Sequence, residues 1–250
     1  MAFSPRRIVA RAAQPFYRHR VYRWSWSPVD HPPLATSLPE GFTLSRATAD
    51  DLPLLEQMGA HFDRARDFLA AGHQLWLVRK GDQVVFSAWT FTGAAPTDAP
   101  RTGWMLLPEG TVNQEDSNTR ADFRGRGIAS VASQAIHAEL LRSGTATRLV
   151  TAILDSNTAS RRSAAKSAWR EFAVVDVKKF GLLRSDADWR SRRGDGALVA
   201  TRLRFARPDV EGGLSAADEE LFDWIRTAMR HGVPGPVVGA EAPVLAGAAS

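Results

Sequence analysis

Residues 121 to 131 read ADFRGRGIASV, and two arginines and two glycines between a polar segment and a run of helix formers are suited to binding a phosphate. Glycine lets the backbone approach an anion and adopt positive φ, and arginine adds charge-assisted donors. The first-turn amides of a following helix have no intrahelical partner, and the helix dipole adds partial positive charge there. Arg124, Gly125, Arg126, Gly127, Ile128 and Ala129 are therefore read as an oxyanion or pyrophosphate cradle. Two other phosphate loops fit less well. A Walker loop needs Gly-Lys-Ser/Thr, and no lysine is near. A dinucleotide fingerprint needs a third small position, which Ser130 only approximates, after an apolar strand, whereas NQEDSNT is polar. The plainest alternative is a glycine turn with solvated arginines.

Other residues with chemical potential are few. Glu115 and Asp116 sit on the polar strand, where alternation sends them to opposite faces, so only one can face a cleft. Either is a candidate base or an ordinary surface charge. Asn157 opens a helix, as a cap or as a ligand-binding amide. His73 and His137 are read as structural or solvated. The chain has no cysteine, which excludes disulfides, a thiolate nucleophile and cysteine-based metal sites, and no metal site is read.

The elements that must position these residues follow from patterning. VYRWSW (21 to 26) alternates as a strand, and HPPLATSLPEG (31 to 41) is a linker. FTLSRA is a strand, TADDLPLLEQMG starts a helix, a second helix covers roughly 61 to 71, and HQLWLVRKGDQVVFSAWTF is a hairpin turning at Gly81. GWMLLP and TVNQEDSNT are strands. Ile128, Ala132, Ala135, Ile136 and Leu140 line one face of a helix over 127 to 143. TRLVTAIL is a buried strand, NTASRRSAAKSAWREF a helix, and FAVVDVKKFGLL and ALVATRLRF complete a mixed sheet with helices on both sides. SAADEELFDWIRTAMRHG is an amphipathic helix with a serine cap, and the Pro-, Gly- and Ala-rich remainder is expected to be disordered.

Arg124-x-x-Gly127-x-Ala129 resembles the Q/R-x-x-G-x-G/A signature of the GNAT (N-acetyltransferase) superfamily. Around it, TRADFRGRGIA looks like that family's strand-to-helix junction, with Ala121 where proline is usual and Phe123 where tyrosine is usual. SNTASRRSAAKSAW resembles the family's Asn-led helix ending in K-x-G-F: Asn157 and Lys166 match, and Ala168-Trp169 replaces Gly-Phe. TLSRATADDLPLLEQM resembles its first strand and helix. The resemblance covers 41 to 180 and, with the last strand, reaches 206.

It implies an α/β fold with a mixed, mostly antiparallel central sheet flanked by helices and a splayed parallel strand pair at an acyl-CoA cleft. It further implies that the amides of 124 to 129 bind the pyrophosphate of acetyl-CoA, and that strands 112 to 119 and 147 to 154 part to admit the pantetheine arm. Asn157 would reach that arm or the thioester region, and Glu115 or Asp116 would take the proton of an acceptor amine. Many relatives place a tyrosine seven residues after the helix-opening Asn as the thiolate's proton donor; here that position is Ala164. The chain's tyrosines are Tyr17 and Tyr22, both near the N-terminus. Either that arm folds over the cleft, Ser163 or water substitutes, or the thiolate leaves without an acid.

Composition bounds the remainder. At 250 residues and 44% hydrophobic content the chain supports one core with appendages. The division expected is a basic aromatic extension over 1 to 40, a GNAT-like acetyltransferase domain over 41 to 206, and an amphipathic helix with a disordered tail over 207 to 250. No run of 18 apolar residues marks a membrane span and no secretory signal is read, so a cytoplasmic location is expected. The net charge of +5 rests on arginine, and the first 29 residues hold six arginines and no acidic residue. That arm could bind nucleic acid or a membrane surface, could be an organelle transit peptide, or could pack on the domain through its aromatics.

Three functions stay open. The first is transfer of an acetyl group from acetyl-CoA to the amine of a small molecule or sugar. The second is a non-catalytic acyl-CoA-binding module or sensor. Third comes nucleic-acid binding through the arm, placed last because no nucleic-acid fold is read. Loops 60 to 72, 94 to 110 and 181 to 196, with Arg64, Arg66, Arg101, Trp104, Trp189, Arg190, Arg192 and Arg193, are expected to wall the acceptor site; they point weakly to an acidic or polar acceptor.

Overall fold

The computed structural model describes residues 17–28, 38–56, 58, 64–98, 103–167, 169–180 and 200–232. The first part of the arginine arm, the linker over 31 to 37, the expected wall at 181 to 196 and the C-terminal tail lie outside the described residues.

Alternating aromatic and β-branched residues make strands, and ten form among the described residues. They are β1 (Tyr17–Pro28), β2 (Phe42–Arg46), β3 (Gln74–Lys80), β4 (Gln83–Phe91), β5 (Ala94–Pro96), β6 (Trp104–Leu106), β7 (Thr111–Thr119), β8 (Arg148–Leu154), β9 (Arg170–Phe180) and β10 (Ala200–Ala206). Eight build one sheet in the order β10-β9-β1-β8-β7-β4-β3-β2, and β5 pairs with β6 apart from it. All neighbours in the large sheet are antiparallel except β7 and β8. Five helices are described: α1 (Leu52–Glu56), α2 (Ala65–Ala70), α3 (Ile128–Arg142), α4 (Thr158–Lys166) and α5 (Ala216–His231). The fold class is the one the resemblance implied.

Each face of the sheet buries its own apolar cluster. On one face α3 lays Ile128, Ala132, Ile136 and Leu140, spaced by four, against Val78, Phe86, Val112 and Leu149. On the other, Leu221, Ile225 and Met229 of α5 and Phe68 of α2 join Trp24, Trp89, Phe91, Trp104 and Phe172. Capping fixes where α5 starts: Ser215 accepts from the Asp218 amide while the Asp218 side chain accepts from the Ser215 amide. Asp218 also takes the indole N–H of Trp26 and an Arg170 contact at 3.1 Å, so one carboxylate joins β1, β9 and α5.

The stretch read as an extension is partly a strand inside the sheet. β1 pairs with β8 through Tyr22↔Leu154 to Pro28↔Arg148 and with β9 through Tyr17↔Phe180 to Trp26↔Arg170. Trp24 is 1% exposed, as core residues are. Its arginines are engaged internally: Arg23 bonds Asp155 and Glu171, and Arg20 bonds Asp98. The boundary placed near Gly41 therefore does not separate this strand from the sheet. No helix among the described residues is long and apolar enough to cross a membrane.

Candidate active site at a splayed strand pair

The parallel pair β7–β8 holds for only three residue pairs, Thr111↔Arg148, Val112↔Leu149 and Asn113↔Val150. Beyond Asn113 the strands part because β7 carries an extra residue. Trp89 of β4 faces Glu115 and Ser87 faces Asn118, so three steps on β7 match two on β4. The residue that absorbs the difference is Asp116, at φ 50, a conformation rare outside glycine and tolerated best by Asp and Asn.

The bulge overturns the expectation that Glu115 and Asp116 point to opposite faces. Gln114 lies on the α3 side, where its amide donates to Ser133 at 2.9 Å, and Ser117 is on that side too, accepting from the same amide at 3.2 Å. The two residues between them are both turned toward Asp98, whose charge acts on both carboxyls, and both line the opening. Glu115 Oε1 accepts the backbone N–H of Ala152 at 3.1 Å, a β8 amide just past the last ladder pair. Burial pushes the Glu115 carboxyl well above its ordinary range, the neighbouring Asp116 charge pushes the same way, and the Ala152 amide partly offsets both. Asp116 keeps an exposed surface, and the partial desolvation of its carboxyl together with the charge of Asp98 raises it.

A single cleft of about 1130 Å³ runs from this opening to the start of α3. Arg124, Gly125, Gly127, Ile128 and Ala129 line it. Gly125 and Gly127 stand at φ 77 and 76, and a Cβ at either would meet nothing within 4 Å. The cradle is thus a backbone surface open to the cleft at a helix N-terminus, as an oxyanion site requires. Arg124 donates from Nε to the Thr119 carbonyl at 2.9 Å. Arg126, expected in the cradle, is absent from the lining, and its guanidinium stands 5.2 Å above the Phe123 ring.

The remaining sequence candidates separate clearly. Asn157 caps α4, its Oδ1 accepting from the Ser160 amide at 3.1 Å, and it also lines the cleft, so both readings of this residue hold a place. Ser163 and Ala164 line the cleft as well. His137 is buried, its Nε2 donating to Gln114 Oε1 at 3.1 Å with its ring edge-on to Trp169, and burial lowers its pKa to about 3. His73 is buried among Phe68, Phe91 and Trp104 and lowered by burial to about 4. Both are structural rather than solvated. Of the expected acceptor wall, Arg64 lines the cleft, its guanidinium 5.0 Å from the Phe68 ring.

Two further cleft residues, Arg20 and Asp98, escaped the sequence reading, and Tyr22 entered it only through an arm that could fold over the cleft. Arg20 and Tyr22 reach the cleft on β1, and Asp98 follows β5. Tyr22 donates its hydroxyl to Asp98, and Arg20 Nη1 lies 3.1 Å from the same hydroxyl while bonding Asp98. Burial, together with the Asp98 charge, raises the Tyr22 phenol well above its ordinary range. Asp98 is held below its own: burial alone would raise it, but Lys179, Arg20, Tyr22 and Arg18 outweigh that effect. The alternation Arg20, Tyr22, Trp24, Trp26 was the available signal for the first two. Nothing local marked Asp98.

A strand pair parted by a bulge, with a glycine cradle at the end of the same strand, is the arrangement that the GNAT resemblance implied. No protein-family model matches the chain, and no curated protein matches it. Solved structures with a similar fold include a GCN5-related N-acetyltransferase from Kribbella flavida, 14% identical over 68% of this chain and 62% of that one, with a TM-score of 0.48. Another, from Sphaerobacter thermophilus, is 17% identical over 74% and 59%, with a TM-score of 0.48. A tandem GNAT protein from the clavulanic acid biosynthesis pathway is 15% identical over 68% and 57%, with a TM-score of 0.47. The chain spans less than two thirds of the length of each of these. At these identities and TM-scores the likenesses carry no argument about this chain's chemistry.

Proposed function

We propose that the protein is an acyl-CoA-dependent N-acyltransferase that moves an acetyl group from acetyl-CoA to the amine of a small molecule. The observation that carries this reading is the continuity of the cleft: an open glycine cradle for an anion at one end, and at the other a parted strand pair with two carboxylates of raised pKa. The backbone of 124–129 would hold the pyrophosphate. The β8 amides past Val150 would pair with the arm's amide groups as an added strand does.

Glu115 or Asp116 acts as base. A carboxylate whose pKa is raised toward neutrality takes a proton from an ammonium better than an ordinary one. Once the carboxylate has released that first proton to solvent, the neutral amine attacks the thioester carbon, an N–C bond forms, the C–S bond breaks, and the nitrogen's second proton passes to the regenerated carboxylate. The departing sulfur needs one proton, and the newly protonated carboxyl holds it. Tyr22 is poorly suited to that donation, since its proton is bound to Asp98 and its pKa is raised. Ser163 remains a possible relay from α4.

Calorimetric titration of acetyl-CoA, followed by thiol release across a panel of amines, tests the reading. Binding with acceptor-dependent thiol release supports it, and absence of acetyl-CoA binding refutes it. A second reading, an acyl-CoA-binding module without turnover, is favoured by Ala164 and by the commitment of Tyr22 to Asp98. It predicts binding with no thiol release for any amine.

A further inference from the structure

We infer that the acceptor carries a carboxylate close to its amine, as an amino acid does, and that Arg20 is the residue that selects it. The inference rests on the N-acyltransferase reading above and names the acceptor class for that same cleft.

The two ends of such a zwitterion have separate sites on one side of the sheet. Trp24 of β1 faces Ala152 of β8, whose N–H is held by the Glu115 carboxylate. Tyr22, the next β1 residue on that face, stands opposite Leu154, and Arg20 reaches back to its hydroxyl. Two strand residues span about 7 Å. Arg20, one further step along β1, reaches back over that backbone step to the Tyr22 hydroxyl, which brings its guanidinium toward the Glu115 end and suits a small zwitterion with a charge-assisted hydrogen bond at each end. The amine lies at the Glu115–Asp116 pair and the carboxylate at the Arg20 guanidinium. Asp98, which Arg20 bonds, is near enough for its charge to raise Asp116, so the two sites adjoin.

Arg20 can take a ligand without stranding its present partner. Asp98 is also bonded by Tyr22, with Lys179 Nζ at 3.6 Å and Arg18 Nη1 at 4.0 Å. Removing Arg20 from it leaves a carboxylate still hydrogen-bonded and still paired. Arg20 is also the accessible cation of the group, 37% exposed and lining the cleft, whereas Lys179 is 11% exposed. A guanidinium offers a carboxylate two parallel donors. Arg64 also lines the cleft.

Thiol release from acetyl-CoA is measured with the common amino acids, each beside its carboxamide, and with phosphoethanolamine and spermidine. In the wild type the acids are expected to exceed their carboxamides in kcat/KM on the order of tenfold or more, chiefly through KM. In Arg20→Gln that preference falls to near unity, while Arg20→Lys keeps part of it and guards against a folding artefact. Acetyl-CoA affinity by calorimetry stays level in both variants. Phosphoethanolamine turning over in place of every amino acid would reassign the anion to a phosphate and overturn the carboxylate claim. Carboxamides or spermidine used as well as the acids overturn the inference alone, as does a preference unmoved in Arg20→Gln. Acetyl-CoA binding with no turnover of any member overturns it in favour of the binding module, and absence of acetyl-CoA binding removes the N-acyltransferase reading itself.

Discussion

His137 offers a measurable test of how the floor of the cleft is held. Its ring is buried between α3 and Trp169, and its Nε2 proton is donated to Gln114, which in turn binds Ser133 and Ser117 beside the bulge. The ring must therefore stay neutral in the folded state, with a pKa of about 3 against an ordinary value of about 6.5. A group depressed on folding contributes fully above the unfolded value, and its contribution is lost as the unfolded chain takes up a proton that the folded one refuses. The window for His137 runs from about pH 6.5 down to about 3. At pH 5 the unfolded imidazole is about 1.5 units below its pKa, which costs the folded state about 2 kcal/mol. Glu115 and Asp116, raised on folding, act in the opposite direction, so the test is a difference. Urea denaturation of wild type and His137→Gln at pH 7.5 and pH 5 should show the gap between them shrinking by about 2 kcal/mol on acidification. A gap independent of pH, or an imidazole that titrates near 6.5 in the folded protein by NMR, would falsify the assignment of His137 as a buried neutral ring.

Other expectations follow from the same contacts. Gly127→Glu should abolish acetyl-CoA binding in a protein that still shows native far-UV circular dichroism, since the new side chain meets open cleft and not protein; Gly127→Ala should cost roughly 1 kcal/mol for its left-handed backbone. Glu115→Gln should lower kcat by about 10²–10⁴. At pH 8 the same variant should melt higher, because ionisation of a carboxyl whose pKa folding raises is a cost that grows as pH rises; equal melting temperatures would count against its burial. Tyr22→Phe should leave the pH profile of kcat without a lost basic limb if the phenol is not the acid. Asp218→Ala removes the capping-box acceptor of the Ser215 amide and strands the Trp26 indole, and should destabilise by about 2–4 kcal/mol in urea.

Much of this was written in local patterns. The four-residue spacing from Ile128 to Leu140 places α3, and the glycines before it place its exposed amides, so the cradle could be read from a dozen residues. The alternation in VYRWSW gives a strand for the same reason. Its position between β8 and β9 leaves no local trace, because its partners are Ala152 and Ala173, far along the chain. The boundary near Gly41 was misplaced for that reason, and Tyr22 was left as an uncertain visitor to the cleft. The bulge was hidden for a different one. Positive φ is usually announced by glycine, and here an aspartate adopts it, so period-two counting put Glu115 and Asp116 on opposite faces. Asp98 sits in a proline-flanked loop whose composition says only that the chain turns, and its role comes from cations on β1 and β9.

The placement of β1 also orders events during synthesis. Its residues leave the ribosome early, yet neither ladder that holds them exists until β8 and β9 have been made. At typical elongation rates Trp24 waits on the order of ten seconds for Ala152 and Ala173. During that interval β8 and β7 can associate and α3 can dock, completing the half of the cleft that carries the cradle. The half with Arg20, Tyr22 and Trp24 closes last, by insertion of an early segment between two late strands. Nascent chains stalled before β8 should therefore expose β1 to protease, and chains released past β9 should protect it.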